Sequence, residues 1–110
     1  KSSSSSNQII KISDVSINLD TKQAEVKGKP LGLTIMELSL LYYLIENKNR
    51  AVSRGELLDK IWGFDNKVET RATDDMIKRI RKKLSDADSN LKIHTVWGFG
   101  FTIYDNDKVS

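Results

Sequence analysis

The fourteen residues RATDDMIKRIRKKL, Arg71 to Leu84, decide how this 110-residue chain is read. They combine helical periodicity with dense positive charge. At about 100° per residue, Thr73, Ile77, Ile80 and Leu84 fall on one side, with Met76 at its margin. Asp75, Lys78, Arg79 and Lys82 fall on the opposite side. Arg71 lies near that second face, and Arg81 flanks the apolar edge beside Asp74. The first side is expected to pack into a core and the second to face outward.

Charge singles out the same stretch. The chain carries a formal +3, but Arg71 to Leu84 alone holds six basic and two acidic residues, a net +4. The remainder is therefore −1. Most charged helix faces are simply solvated. An excess confined to one element is instead the pattern of an electrostatic footprint for a polyanion.

Working outward, IHTVWGFGF (Ile93 to Phe101) reads as a strand, a tight turn and a second strand, with Gly98 and Gly100 permitting a tight or bulged turn. Asp86 to Asn90 supplies the turn before it. Upstream, Ser53-x-x-Glu56 forms a capping-box pattern that opens a shorter helix with Leu57, Leu58 and Ile61 on its apolar face, stopped near Gly63. Gly63 to Thr70 is a polar loop containing Phe64. Thr34-x-x-Glu37 opens another helix, with Leu38, Leu41, Tyr42 and Ile45 as its core stripe and an end near Asn47 to Arg50. Gln8 to Leu33 alternates in the short stretches IIKI, VSINL, QAEVK and PLGL, punctuated by Asp20-Thr21 and Gly28-Lys29-Pro30 as turns, which predicts three or four antiparallel strands. Residues 1–7 include five serines and read as a mobile linker or tag remnant of a cut or processed chain. Residues 8–105 form the domain, and 106–110 a tail.

The predicted fold is α+β: an N-terminal antiparallel sheet, three helices and a C-terminal β-hairpin wing, with the second and third helices as a helix-turn-helix of unusually long turn. A winged helix-turn-helix with a basic third helix predicts double-stranded DNA as partner. In that reading Arg79, central on the exposed face, suits a bidentate contact to guanine. Asp75 either accepts from cytosine N4 or favours the helix N-terminus electrostatically. Lys78, Lys82 and Arg71 suit phosphates, which set register and salt dependence, and Met76 and Arg81 complete the candidate DNA contacts on this helix. Trp62 reads as an interhelix plug, or as an indole N–H donor to phosphate. His94 reads as a strand residue near the sheet surface. The alternative is a winged-helix protein-interaction module without DNA binding, which predicts a neutral face where Lys78, Arg79 and Lys82 stand.

Other classes find no support. There is no cysteine, so disulfide scaffolds and thiolate zinc sites are excluded. No nucleophile–base pair, metal cluster or phosphate-binding glycine loop is visible, so no enzymatic activity, metal or cofactor is expected. The longest apolar run, Leu40 to Ile45, is far short of the roughly 20 residues of a membrane span. No secretory-signal pattern is visible.

Four stretches in order, LTIMELSLLYYL (Leu33 to Leu44), VSRGELLDKIWG (Val52 to Gly63), Arg71 to Leu84 and IHTVWGFGF, resemble the C-terminal effector domain of OmpR/PhoB-type response regulators over about residues 9–104. The resemblance implies a four-stranded N-terminal sheet and a winged helix-turn-helix. The third helix would enter the major groove, and a wing at about 95–101 the minor groove. It implies a cytoplasmic bacterial two-component transcription factor with an upstream receiver domain phosphorylated by a sensor kinase. It further implies head-to-tail dimers on direct repeats, and an RNA polymerase contact in the loop containing Phe64, Asp65, Asn66 and Lys67. Thr95 and the Gly98 backbone would donate to phosphate. Met76 stands where relatives usually carry His, Thr73 and Asp75 where they carry Val, Ala72 where they carry Thr, and Phe101 where they carry Tyr. Trp97 replaces the usual wing Arg and can stack on a sugar, wedge, or pack against the domain.

Overall fold

Period-two alternation builds the first sheet. In the computed structural model, which describes residues 9–63 and 71–104, four strands run antiparallel in the order β1 (Ile9–Ile12), β2 (Val15–Asn18), β3 (Gln23–Val26) and β4 (Lys29–Pro30). Val15 faces Val26 and Ile17 faces Ala24, so one face of the central pair is wholly apolar and buried. The turn expected at Gly28-Lys29-Pro30 sits one residue earlier. Lys27 and Gly28 both take positive φ, 54° and 85°, which is what a two-residue hairpin turn of native twist requires. Lys29 and Pro30 then pair with Val26 and Glu25. Pro30 lacks an amide and is tolerated because β4 is an edge.

The first helix, α1 (Ile35–Glu46), carries the capping box in full. The Thr34 hydroxyl accepts from the Glu37 amide at 3.2 Å, and the Glu37 carboxylate accepts from the Thr34 amide at 3.1 Å. Its buried side is wider than the expected stripe. Leu40 and Leu44 are buried beside Leu38, Leu41 and Ile45, while Tyr42 is half-exposed and donates to Glu46. A helix packed from two sides buries more than one stripe, and α1 lies in a core shared with both sheets and the third helix.

Just ahead of the second helix a short strand, β5 (Val52–Ser53), pairs with the wing. The second helix, α2 (Arg54–Leu57), continues as a π-type turn over Leu58–Trp62 and ends at Gly63, whose φ is 89°. Its capping box is only half made. The Ser53 hydroxyl accepts from the Glu56 amide at 3.1 Å, but the Glu56 carboxylate turns to the Tyr43 hydroxyl and, at 3.0 Å, to Arg50.

The third helix, α3 (Arg71–Asp86), runs two residues past the quoted stretch. It ends where Asp88 adopts φ 61°. The Ser89 amide then reaches the Leu84 carbonyl and the Asp88 amide the Ser85 carbonyl, the paired bonds of a Schellman stop. The chain closes with β6 (Ile93–Val96) and β7 (Gly100–Ile103), giving a second sheet ordered β5-β7-β6. Gly100 serves close approach rather than turn freedom: a Cβ there would sit 1.9 Å from the Val52 carbonyl oxygen on β5. The turn itself uses Gly98, at φ 74°.

One polar clasp ties the first sheet to the end of α3. Asp14, in the β1–β2 turn, accepts from the Ser89 hydroxyl at 2.6 Å and the Asn90 amide at 2.8 Å. Burial pushes its carboxyl up, but these donors and the nearby Lys27 ammonium hold it below the usual carboxylate range.

Candidate nucleic-acid interface

The apolar side of α3 is buried as its periodicity requires. Thr73, Ile77, Ile80 and Leu84 are all buried, and Met76 is half-buried at the margin. On the other side Arg71, Asp75, Lys78, Arg79 and Lys82 are exposed. The two faces therefore separate as the spacing predicts.

The cations do not all belong to the outward face. Arg81, a candidate DNA contact in the sequence, folds back onto the wing. Its guanidinium donates to the Ile93 carbonyl at 2.7 and 3.1 Å and to the Thr95 hydroxyl at 2.9 Å. Lys83 turns to the opposite flank, donating to Glu37 at 2.6 Å and to the Gly32 carbonyl at 2.9 Å. Glu37 is only 2% exposed. Burial pushes its carboxyl up, and the Lys83 hydrogen bond, the Thr34 amide and the charges of Lys83 and Arg79 hold it below its ordinary value. Lys82 stands 3.8 Å from Asp86, with both side chains mostly in water, a pairing too screened to hold the ammonium back. Lys78 and Arg79 form no ion pair among the described residues. The surface that α3 presents is thus Arg71, Lys78, Arg79 and Lys82 around Asp75.

The wing is held at a fixed angle to this surface. Arg81 braces β6 from α3. From α2, the Arg54 amide donates to the Phe99 carbonyl at 3.3 Å, while the Arg54 guanidinium pairs with Asp74 at 3.0 Å and lies over the Phe101 ring. A shallow hollow lined by Arg54, Asp74, Lys78, Arg81, Thr95 and Phe101 marks this junction. Spacing along the sequence offered no signal for these ties, because each links residues at least twelve apart.

The wing tip is a turn closed by the Phe99 amide on the Val96 carbonyl at 3.0 Å. Trp97, ahead of Gly98 in that turn, is 91% exposed, and Phe99 is 48% exposed. Packing of Trp97 against the domain is therefore ruled out. The Thr95 hydroxyl accepts from Arg81 and keeps its own hydrogen free to donate. Trp62 is half-buried against the core, in keeping with a plug between helices. His94 is exposed on β6, its ring 5.0 Å from that of Tyr104. Phe64, Asp65, Asn66 and Lys67 lie outside the described residues. Among the described residues there is no acidic or histidine cluster that would hold a metal, and no helix long and apolar enough to cross a membrane.

Residues 28–103 match the family described as transcriptional regulatory protein, C terminal. The chain belongs to this family. It is 38% identical over 95 residues to the response regulator ArlR of Staphylococcus haemolyticus, covering 86% of this chain and 43% of that relative. The DNA-binding domain of Bacillus subtilis CssR superposes with a TM-score of 0.70 at 32% identity, covering 79% of this chain and 96% of that one. The Thermotoga maritima response regulator DrrB, an OmpR/PhoB homologue, superposes with a TM-score of 0.75 at 31% identity, covering 87% of this chain and 44% of that one. The chain thus spans under half the length of the curated relatives it matches. It is a winged-helix DNA-binding domain of OmpR/PhoB type and not an enzyme.

Proposed function

We propose that this domain reads a specific duplex sequence by laying the outward face of α3 in the major groove, with the wing at the adjacent minor groove. The observation that carries the proposal is the division of cations on α3. Arg81 and Lys83 are engaged inside the domain, whereas Lys78 and Arg79 point outward without an ion partner among the described residues. Arg79 suits guanine O6 and N7, and Asp75, one turn earlier, meets either a cytosine amino group or only the helix end. Arg71, Lys78 and Lys82 meet phosphates, as do the Thr95 hydroxyl and the Gly98 amide on the wing. Met76 offers an apolar contact at the edge of the groove. Arg81 serves as the brace that sets the angle between helix and wing, not as a direct contact.

In the longer protein, residues 8–105 would be the DNA-binding unit, 1–7 linker and 106–110 tail, with a receiver domain upstream and a sensor kinase phosphorylating it in the cytoplasm. Two copies would stand head to tail on direct repeats, and Phe64 to Lys67 would face RNA polymerase. A protein-interaction role without DNA finds no matching neutral face on α3. Selection from a random duplex pool followed by footprinting tests the reading. Enrichment of a repeated motif protected at both grooves is the expected result. Recovery of an unenriched pool, with only salt-sensitive non-specific binding, overturns it.

A further inference from the structure

From Ile93 to Tyr104 the wing holds no lysine, arginine or acidic residue. It therefore cannot grip DNA by releasing counterions. Its foremost side chain is Trp97, 91% exposed, with Phe99 half-exposed two residues on. Together the two rings put an exposed aromatic patch at the tip of the hairpin, and it is a contiguous patch rather than a lone side chain that marks a binding surface.

The tip is also firmly placed. Its base is buried through Phe101, Thr102 and Ile103, its backbone is pressed against β5 at Gly100, and Arg81 and Arg54 fix Thr95 and Phe99 to α3 and α2. The aromatic tip is therefore continuous with the cationic surface of α3 and rigid with respect to it. A rigid apolar wedge beside a groove-reading helix can enter a base step and open it, and pyrimidine–purine steps yield at the lowest cost.

We propose that Trp97, with Phe99 beside it, inserts at a base step in the minor groove and kinks the duplex, so that the wing selects deformable sequence instead of attracting charge. This rests on the DNA-binding reading above. A protein surface that covers the same indole would leave DNA indifferent to it.

The test uses the duplex recovered by pool selection, with 2-aminopurine placed in turn at each step under the wing and end dyes reporting the bend. The wild-type chain should raise 2-aminopurine emission at one step and shorten the end-to-end distance. Trp97→Ala should abolish both signals and weaken binding about tenfold with the salt slope unchanged, because no cation is lost. Trp97→Arg should restore affinity without the emission, and steepen the salt slope by about 0.9. Since the side chain is exposed, both variants should keep the wild-type circular dichroism and melting temperature. Specific binding by the wild type with no emission change, or a Trp97→Ala chain that binds and bends DNA like the wild type, overturns the wedge while leaving the DNA-binding reading intact. Failure of the wild type to prefer any duplex overturns both.

Discussion

The inner flanks of α3 and its outward face use the same residue types for opposite ends. On the flanks, Arg81 and Lys83 reach partners on β6, on the loop before α1, and on α1 itself. On the outward face, Lys78 and Arg79, just ahead of them in sequence, form no ion pair among the described residues. Side-chain direction makes the difference. Positions 79 and 82 project away from the core set by Ile77, Ile80 and Leu84, whereas 81 and 83 lie at its two edges. A count of charge along the helix treats these cations as equivalent, but only the outward set is available to a polyanion. The inner set instead determines where that polyanion would have to lie, because it fixes the helix against the wing and against α1.

The widest separation between the two sets should appear at Lys83. Lys83→Ala leaves the Glu37 carboxylate buried with the Thr34 amide as its remaining donor, a change worth about 2–3 kcal/mol of stability. Denaturant unfolding measures it, and a loss under about 0.5 kcal/mol would mean that Lys83 belongs with the outward set. The same pair predicts an acid limb. The folded-state value of Glu37 is lowered, so its contribution is fully present above the ordinary glutamate range, about 4.3, and fades as pH falls through the lowered value. Asp14 and Glu56 are lowered as well, the latter chiefly by the Tyr43 hydroxyl. Glu37→Gln should therefore flatten the limb in part rather than abolish it.

What could be read from the sequence follows the range of the interaction. Features closed within four residues were visible: the Thr34–Glu37 box, the alternation of Val15 with Ile17 and of Ala24 with Val26, and the buried side of α3. Features closed over longer distances were not. Glu56 has the spacing of a cap residue, yet it answers to Tyr43, thirteen residues away. Gly100 looked like a turn glycine, and its role depends on Val52, which no periodicity brings beside it. Arg81 is placed at the apolar edge by spacing, but its partners on β6 are not. In the candidate site, therefore, the identity of the outward face was legible, but the brace that orients it was not.

Arg79 sharpens the comparison from the other side. Arg79→Ala should leave unfolding within about 0.5 kcal/mol of wild type, as expected for an exposed helix position. It should weaken binding to the selected duplex by about 1–3 kcal/mol and relax one base position. Equal weakening on every duplex would move Arg79 to the phosphates, and a stability loss matching that of Lys83→Ala would erase the distinction between the two sets.

Lys82 gives the smallest and most discriminating effect. Among the described residues it is the outward cation with an ion partner in reach, Asp86 at 3.8 Å, one helical turn on. If the pair were strong, removing the lysine would cost stability and leave DNA binding little changed. With side chains 78% and 69% exposed, the attraction is screened by water and salt and is worth only about 0.3–0.5 kcal/mol. A phosphate offers the same ammonium a denser field of negative charge and the release of a condensed counterion, so it should take the lysine from Asp86 on binding. Lys82→Ala should accordingly reduce the slope of log affinity against log salt by about one unit while preserving base preference. Asp86→Asn should strengthen binding slightly by freeing the ammonium. An unchanged slope in Lys82→Ala would place this lysine with Arg81 and Lys83, as a residue whose charge serves the fold.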